Sequence, residues 1–173
     1  MKRKNKFLFL CLVLALPIIL ELTLYSIYHI ICNMRCVLDT DVLIAGLRSA
    51  KGASREIIAM VGRKEITAVA TISMMAEYEA VLKRTEHLEA ANLTMEDVDT
   101  LLDALASLFV PVVPHFLWRP QLKDPDDEMI LEAAVNGRAT AIITFNIRHF
   151  GKAAARFGVE VLRPGDFLKR LST

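Results

Sequence analysis

Apolar positions along this chain form short continuous runs that alternate with helically spaced sets. Cys36-Val37-Leu38 is a short apolar run ending at Asp39, and Asp41 is placed to cap a helix opening at Val42-Leu43-Ile44. Residues 53–61 carry Ile57, Ile58 and Val61 on one side and predict a second helix. Residues 68–72 read as a buried strand, after which Ser73 caps a helix running to Leu82. Val98, Leu101, Leu102, Leu105 and Leu108 predict a long helix over 95–109, followed by a short strand over 110–113 with Pro111 inside it. Asp124-Pro125-Asp126-Asp127 opens a helix through Val135, and Asn136-Gly137 stops it. Residues 141–143 form a third apolar strand ending at Thr144, and a short helix over 152–157, a strand over 159–162 and a helix over 165–171 close the chain. Continuous apolar strands alternating with helices predict an α/β fold, a parallel sheet covered on both faces.

Residues 1–33 follow a different pattern. Lys2, Arg3, Lys4 and Lys6 precede Phe7 to Leu20, a run of 14 residues without a charge, and apolar character resumes after Glu21 as far as Cys32. A cleaved signal peptide fits poorly, because no small-x-small site follows the run. A membrane anchor over 7–31 is long enough to span a bilayer. The third reading places the true start of translation at Met34, with the upstream stretch joined in error. In the anchor reading the basic cluster stays in the cytoplasm and everything after residue 33 is exported.

Charge sharpens the division. The whole chain carries +1, but residues 34–173 hold 17 basic and 19 acidic residues. That balance excludes a generally polybasic nucleic-acid binder and leaves room for a local basic patch. A 54% hydrophobic content excludes extended disorder, and 140 residues suffice for one sizeable core. Three irregularly spaced Cys exclude a disulfide scaffold and a Cys-based zinc site. His29, His87, His115 and His149 are scattered, and the chain has no glycine-rich phosphate loop and no Gly-x-Ser-x-Gly turn.

The candidate chemistry is carboxylate. Sites in open parallel sheets form beyond the carboxyl ends of strands. Asp39 follows the first strand, the Asp124 to Asp127 group opens a helix, and Asn146 lies just past Thr144. Glu77 lies three after Met74 and four before Val81, which predicts a core-facing position, with Glu79 outside. Asp127 is spaced in the same way from Ile130, Leu131 and Ala134. Each acid also has a plain reading: Asp39 as a turn residue, Asp41 as a helix cap, Asp124 as a cap with Pro125 behind it. Several acids at strand ends, two of them directed inward, suit a hard divalent cation, Mg²⁺ or Mn²⁺. Such ions activate water and stabilise the charge that develops in phosphodiester cleavage.

These motifs together resemble the PIN-domain family of metal-dependent ribonucleases, which includes the VapC-like toxins of toxin–antitoxin modules. Met34 to Ile44, with Asp39 and then Thr40, looks like the family's opening, where position 41 is usually Asn. Ser73 to Leu82 with Glu77 looks like the second acidic motif, Lys123 to Asp127 with the following apolar run the third, and Ile142 to Phe150 the last. Many relatives carry Asp where this chain has Asn146, which brings an amide oxygen but no charge and leaves the second metal position open. The resemblance covers essentially residues 34–173.

The resemblance implies a three-layer α/β/α fold with a central parallel sheet. It implies an endoribonuclease that uses Mg²⁺ or Mn²⁺ to activate water. Asp39, Glu77 and Asp127 would be its catalytic metal ligands, Asp124 and Asn146 would assist, and Thr40 and Thr144 would support them. It implies RNA as substrate, a cognate antitoxin as partner, a homodimer in many cases and a cytoplasmic location. Because the family begins close to its first strand, the resemblance favours Met34 as the start over a membrane anchor.

Arg48, Lys51, Lys123 and Arg148 are candidate phosphate-binding residues, with Arg55, Arg119 and Lys152 near the same motifs. His115 and Trp118 are candidates for stacking on a base, and Trp118 serves equally well as a packing residue. Two other function classes compete with the nuclease. One is a degenerate PIN domain used as an RNA- or protein-binding module, which Asn146 motivates. The other is a membrane-tethered protein, which residues 7–31 motivate.

Overall fold

A computed structural model describes residues 34–172. The N-terminal segment over 1–33, and with it the choice between anchor and later start, lies outside the described residues. Among the described residues no helix is long and apolar enough to cross a membrane.

Five parallel strands form one sheet: β1 (Arg35–Leu38), β2 (Thr67–Ala70), β3 (Val110–Pro111), β4 (Ala141–Ile143) and β5 (Glu160–Leu162), in the order β3-β2-β1-β4-β5. Between β1 and β2 lie α1 (Thr40–Arg48) and α2 (Ala53–Gly62). Between β2 and β3 lie α3 (Ile72–Leu82), α4 (Thr85–Ala91) and α5 (Met95–Leu108). Helix α6 (Pro125–Asn136) leads to β4, α7 (Ile147–Arg156) joins β4 to β5, and α8 (Pro164–Leu171) follows. Right-handed crossovers put α1–α5 on one face of the sheet and α6 and α7 on the other. The contacts agree: α1 packs on α2, α3 and α4, while α6 packs on β1, β2, β4 and α7. The α/β/α expectation therefore holds.

Past the first residues of β1 and β2, the strands at the centre are buried. Val37, Leu38, Ala68, Val69, Ile142 and Ile143 have no exposed surface, as expected for strands covered on both sides.

Four local expectations need correction. Asp39, not Asp41, caps α1, accepting from the Thr40 amide at 2.7 Å, so the helix starts two residues early. Thr71, not Ser73, caps α3 through the Met74 amide at 3.2 Å. Helix α4 is absent from the periodicity reading. Helix α7 opens at Ile147 rather than at 152.

The chain between β3 and α6 has no regular structure, yet it is tied down. Arg119 makes a two-point pair with buried Glu132, Nε to Oε1 at 2.7 Å and Nη2 to Oε2 at 2.9 Å. Buried Glu128 accepts from the Gln121 and Leu122 amides, and Asn136 Oδ1 accepts from the His115 and Phe116 amides. These bonds fix where Lys123 and Asp124 enter α6.

Candidate active site

The site is assembled by strand register. Leu38 of β1 pairs with Ile143 of β4, so the residues that follow, Asp39 and Thr144, emerge side by side at the carboxyl edge. The Asp39 amide donates to the Ile143 carbonyl at 3.0 Å and continues the ladder by one residue. Thr144 has no exposed surface, and its hydroxyl donates to Asp39 Oδ2 at 2.7 Å. Its oxygen in turn accepts from the Asn146 amide at 2.9 Å.

Asp41 lies in the first turn of α1 and reaches across to the same loop. Its Oδ2 accepts from the Phe145 amide at 3.0 Å and from Asn146 Nδ2 at 3.3 Å. Its Oδ1 is buried and has no hydrogen-bond partner among the described residues. Asp127, in the first turn of α6, meets His149 Nδ1 at 2.9 Å.

Burial and like charge make these acids hard to ionise. Asp39 is 9% exposed, and its carboxyl is pushed up to about 6 by burial and by the Asp41 charge, with Asp127 adding a little. The bonds from Thr144 and Thr40 pull it partly back. Asp41 is also raised, by burial first, against the donors at Phe145 and Thr144. Asp127 is raised by burial, and His149 opposes the shift. Asp39, Asp41 and Asp127 thus form one electrostatically linked group.

The expected residues separate on this geometry. Asp39, Thr144, Asn146 and Asp127 come together. Thr40 contributes its amide to Asp39. Asp124 is exposed and caps α6 by accepting from the Asp126 amide at 3.0 Å.

The core-facing reading of Glu77 is corrected. The buried stripe of α3 runs through Met74, Tyr78, Val81 and Leu82, and Glu77 sits half-buried at its margin. Tyr78 takes the central place, fully buried, with its phenol donating to the Leu38 carbonyl just before Asp39. Glu77 makes no hydrogen bond or ion pair among the described residues.

The candidate substrate residues separate as well. Lys123, Arg148 and Lys152 line a cleft of about 720 Å³ together with Asp124 and Asp127. Arg48 ends α1, roughly 13 Å of helix rise from Asp39, and its guanidinium meets His87 Nδ1 at 2.8 Å. Lys51 lies in the turn beyond and Arg55 is exposed on α2. Arg119 is committed to Glu132. Trp118 lies between Phe116 and Phe157, each ring centroid 5.3 Å away, and is 41% exposed. His115 is exposed and contributes its amide to the Asn136 bond.

Sequence reasoning missed Asp41 and His149 as members of the site. Asp41 gives a weak signal, a second acid two residues after the first. His149 gives none, since its partner Asp127 is 22 residues away.

The donor set suits a hard divalent cation by chemistry: three buried or half-buried carboxylates, an amide oxygen at Asn146, and one buried carboxylate oxygen with no donor. Among the described residues no group of three or more His, Cys, Asp or Glu side chains is placed to hold a metal ion.

Comparison with curated proteins finds no match. The PIN-domain family profile matches residues 35–148, from β1 into the first turn of α7. That span takes in Asp39, Glu77, Asp124, Asp127, Thr144 and Asn146. PIN domains are generally nucleases and typically use divalent metals. With the matched span, the parallel sheet and the acids at its carboxyl edge in agreement, the chain belongs to the PIN-domain family.

Proposed function

We propose that the domain is a Mg²⁺- or Mn²⁺-dependent endoribonuclease and the toxin of a toxin–antitoxin pair. One observation carries the catalytic part: of three linked acids, one with an unpartnered buried oxygen, Asp127 lines a cleft that also bears Lys123, Arg148 and Lys152. Anionic groups that repel one another beside cations facing open space suit a cation and a polyanion in turn. The toxin part rests on the four VapC-like motifs.

In this reading Asp39, Glu77 and Asp127 would hold the ion, with Asp124 and Asn146 assisting and Asp41 contributing its unpartnered Oδ1. When bound, the ion supplies Lewis-acid activation of water and neutralises charge on the scissile phosphate. The chain's own residues prepare for that. Thr144 orients Asp39 and holds Asn146, and His149 fixes the Asp127 carboxylate. Lys123, Arg148 and Lys152 bind flanking phosphates, so that the strand approaches the acids without net repulsion. Arg48 and Lys51 serve only a strand long enough to reach the far end of α1. RNA as substrate places the protein in the cytoplasm, and a membrane location follows only if residues 7–31 are an anchor. A cognate antitoxin and a second copy of the chain are the partners this reading expects.

The test is cleavage of a mixed RNA panel by the full chain with Mn²⁺, with Asp39→Asn as the paired control. Metal-dependent cleavage by the wild type alone is expected, and equal cleavage by both proteins sinks the reading. Asn146 favours a second reading, a degenerate PIN domain that binds RNA or protein without cutting. Calorimetric titration with Mn²⁺ separates the two, since a lapsed site gives no binding heat. Growth arrest on induction, relieved by Asp39→Asn, tests the toxin role.

A further inference from the structure

A second, smaller cleft of about 200 Å³ lies beside the acid site, lined by Phe145, Asn146, Ile147, Arg148, His149 and Arg163. Phe145 directly follows Thr144, and the residue is 45% exposed although its amide is bonded to Asp41 at 3.0 Å. Phe145 thus brings a partly exposed aromatic ring to the cleft on a backbone fixed by its bond to Asp41. Arg148 and Arg163 reach the cleft from separate elements, the first turn of α7 and the residue preceding α8. Arg63, Arg119 and Arg170 each have a carboxylate partner, whereas Arg148 and Arg163 have none among the described residues.

The small cleft adjoins the large one. Both are lined by Arg148 and His149, and His149 is bonded to Asp127. A ligand in the small cleft therefore lies against the ridge that borders the acids. Its volume falls below the roughly 300–1,000 Å³ of pockets that engulf a drug-sized ligand, which suits a single nucleotide better than a helical segment. An aromatic face with unpaired guanidinium groups around it is the chemistry that recognises an unstacked base and its phosphate.

We propose that this cleft is a nucleotide subsite, in which one base of a single-stranded RNA stacks on Phe145 and its phosphate lies between Arg148 and Arg163. The strand then crosses the Arg148–His149 ridge, and its next phosphates enter the cleft beside Asp127 and Lys152. The subsite rests on the nucleic-acid part of the function proposed above. It assigns binding roles to Phe145 and Arg163.

The test is fluorescence anisotropy of a 5′-fluorescein octauridylate titrated with the full chain in EDTA, which stops metal-dependent cleavage. Phe145→Ala and Arg163→Gln are each expected to weaken binding about tenfold, and Phe145→Tyr to retain it, with thermal midpoints unchanged. Arg163→Gln should also reduce the slope of log K against log salt by about 0.7, while Phe145→Ala leaves that slope alone. Wild-type affinity in folded Phe145→Ala overturns the subsite, as does a lack of binding by the wild type. Displacement by an octaglutamate peptide with the same dependence on Phe145 also overturns it, by assigning the cleft to an acidic protein partner. Cleavage with Mn²⁺ is measured separately. Phe145-dependent binding without cleavage sinks the nuclease and keeps the subsite; cleavage with Phe145-independent binding does the reverse.

Discussion

The Thr144 hydroxyl donates to Asp39 Oδ2 at 2.7 Å across two adjacent strand ends, and the two residues are 105 positions apart in the chain. The same hydroxyl oxygen accepts from the Asn146 amide, so one buried side chain holds both an acid and the loop that carries Phe145. Thr144→Val keeps the shape and removes both functions. The expected cost is about 1–3 kcal/mol of stability, because Asp39 and the Asn146 amide lose a buried partner. The Asp39 carboxyl also loses a bond that holds it down, so the acid limb of any pH–rate profile moves to higher pH. Urea unfolding and a pH–rate series check the two effects, and an unshifted acid limb contradicts the second.

Asp39 sets a pH dependence of stability with a definite sign. Its carboxyl lies near 3.8 when unfolded and about 6 when folded, raised by burial first and then by Asp41. The folded state therefore holds the proton more tightly. The stabilisation is fully present below about pH 4 and is lost as pH rises through about 6, on the order of 3 kcal/mol in all. In EDTA the urea midpoint should fall from pH 5 to pH 7.5. Asp39→Asn should flatten that slope and be at least as stable as the wild type at pH 7.5. A wild-type midpoint that rises over this interval contradicts the linkage.

Mn²⁺ should reverse the loss. An ion that binds only the folded state stabilises it by mass action, about 2.7 kcal/mol at one hundred times its dissociation constant. At pH 7.5, added Mn²⁺ is expected to raise the melting temperature of the wild type and leave that of Asp39→Asn nearly unchanged. Equal shifts in both place the ion elsewhere.

Glu77 and Tyr78 should behave in opposite ways. Glu77 has no hydrogen-bond or ion-pair partner among the described residues, so Glu77→Gln is expected to leave the melting temperature unchanged while reducing cleavage at least about tenfold, as an ion ligand would. Tyr78→Phe removes the donor to the Leu38 carbonyl and should cost about 1–2 kcal/mol, with a smaller effect on rate. Thermal melts and single-turnover cleavage on the same preparations distinguish them. A destabilised Glu77→Gln contradicts the placement.

Arg119 and Glu132 test the loop that precedes α6. Arg119→Ala strands a buried carboxylate that is 5% exposed, though half of the arginine is in water. An expected cost of about 1–3 kcal/mol follows, less than for a fully buried pair. Adding Glu132→Leu should recover most of it. A double variant as unstable as Arg119→Ala alone argues against the stranded charge as the cause.

The sheet is legible in the sequence because buried parallel strands leave continuous apolar runs, and Cys36 to Leu38 and Ala141 to Ile143 are such runs. Asp39 and Asp124 are legible because each sits where a strand ends or a helix opens. Helix α4 is not, since seven residues with no buried side chain leave no apolar stripe to detect. Glu77 misleads because its spacing from Met74 and Val81 puts it beside the buried stripe, whose centre shifts toward Tyr78 and Leu82 and leaves it at the margin. Asp41 is hidden for another reason: its partners Phe145 and Asn146 lie 104 and 105 residues away, beyond any local pattern.

The central place of β1 has a consequence for biosynthesis. The strand that delivers Asp39 is among the first parts of the described domain to leave the ribosome, but its neighbour β4 is made about a hundred residues later. Until Thr144 and the Phe145 amide emerge, Asp39 and Asp41 lack the donors that hold them in place. A nascent chain, or a product truncated before β4, carries the acids without the site. The topology thus withholds the complete acid network until synthesis of the domain is nearly finished.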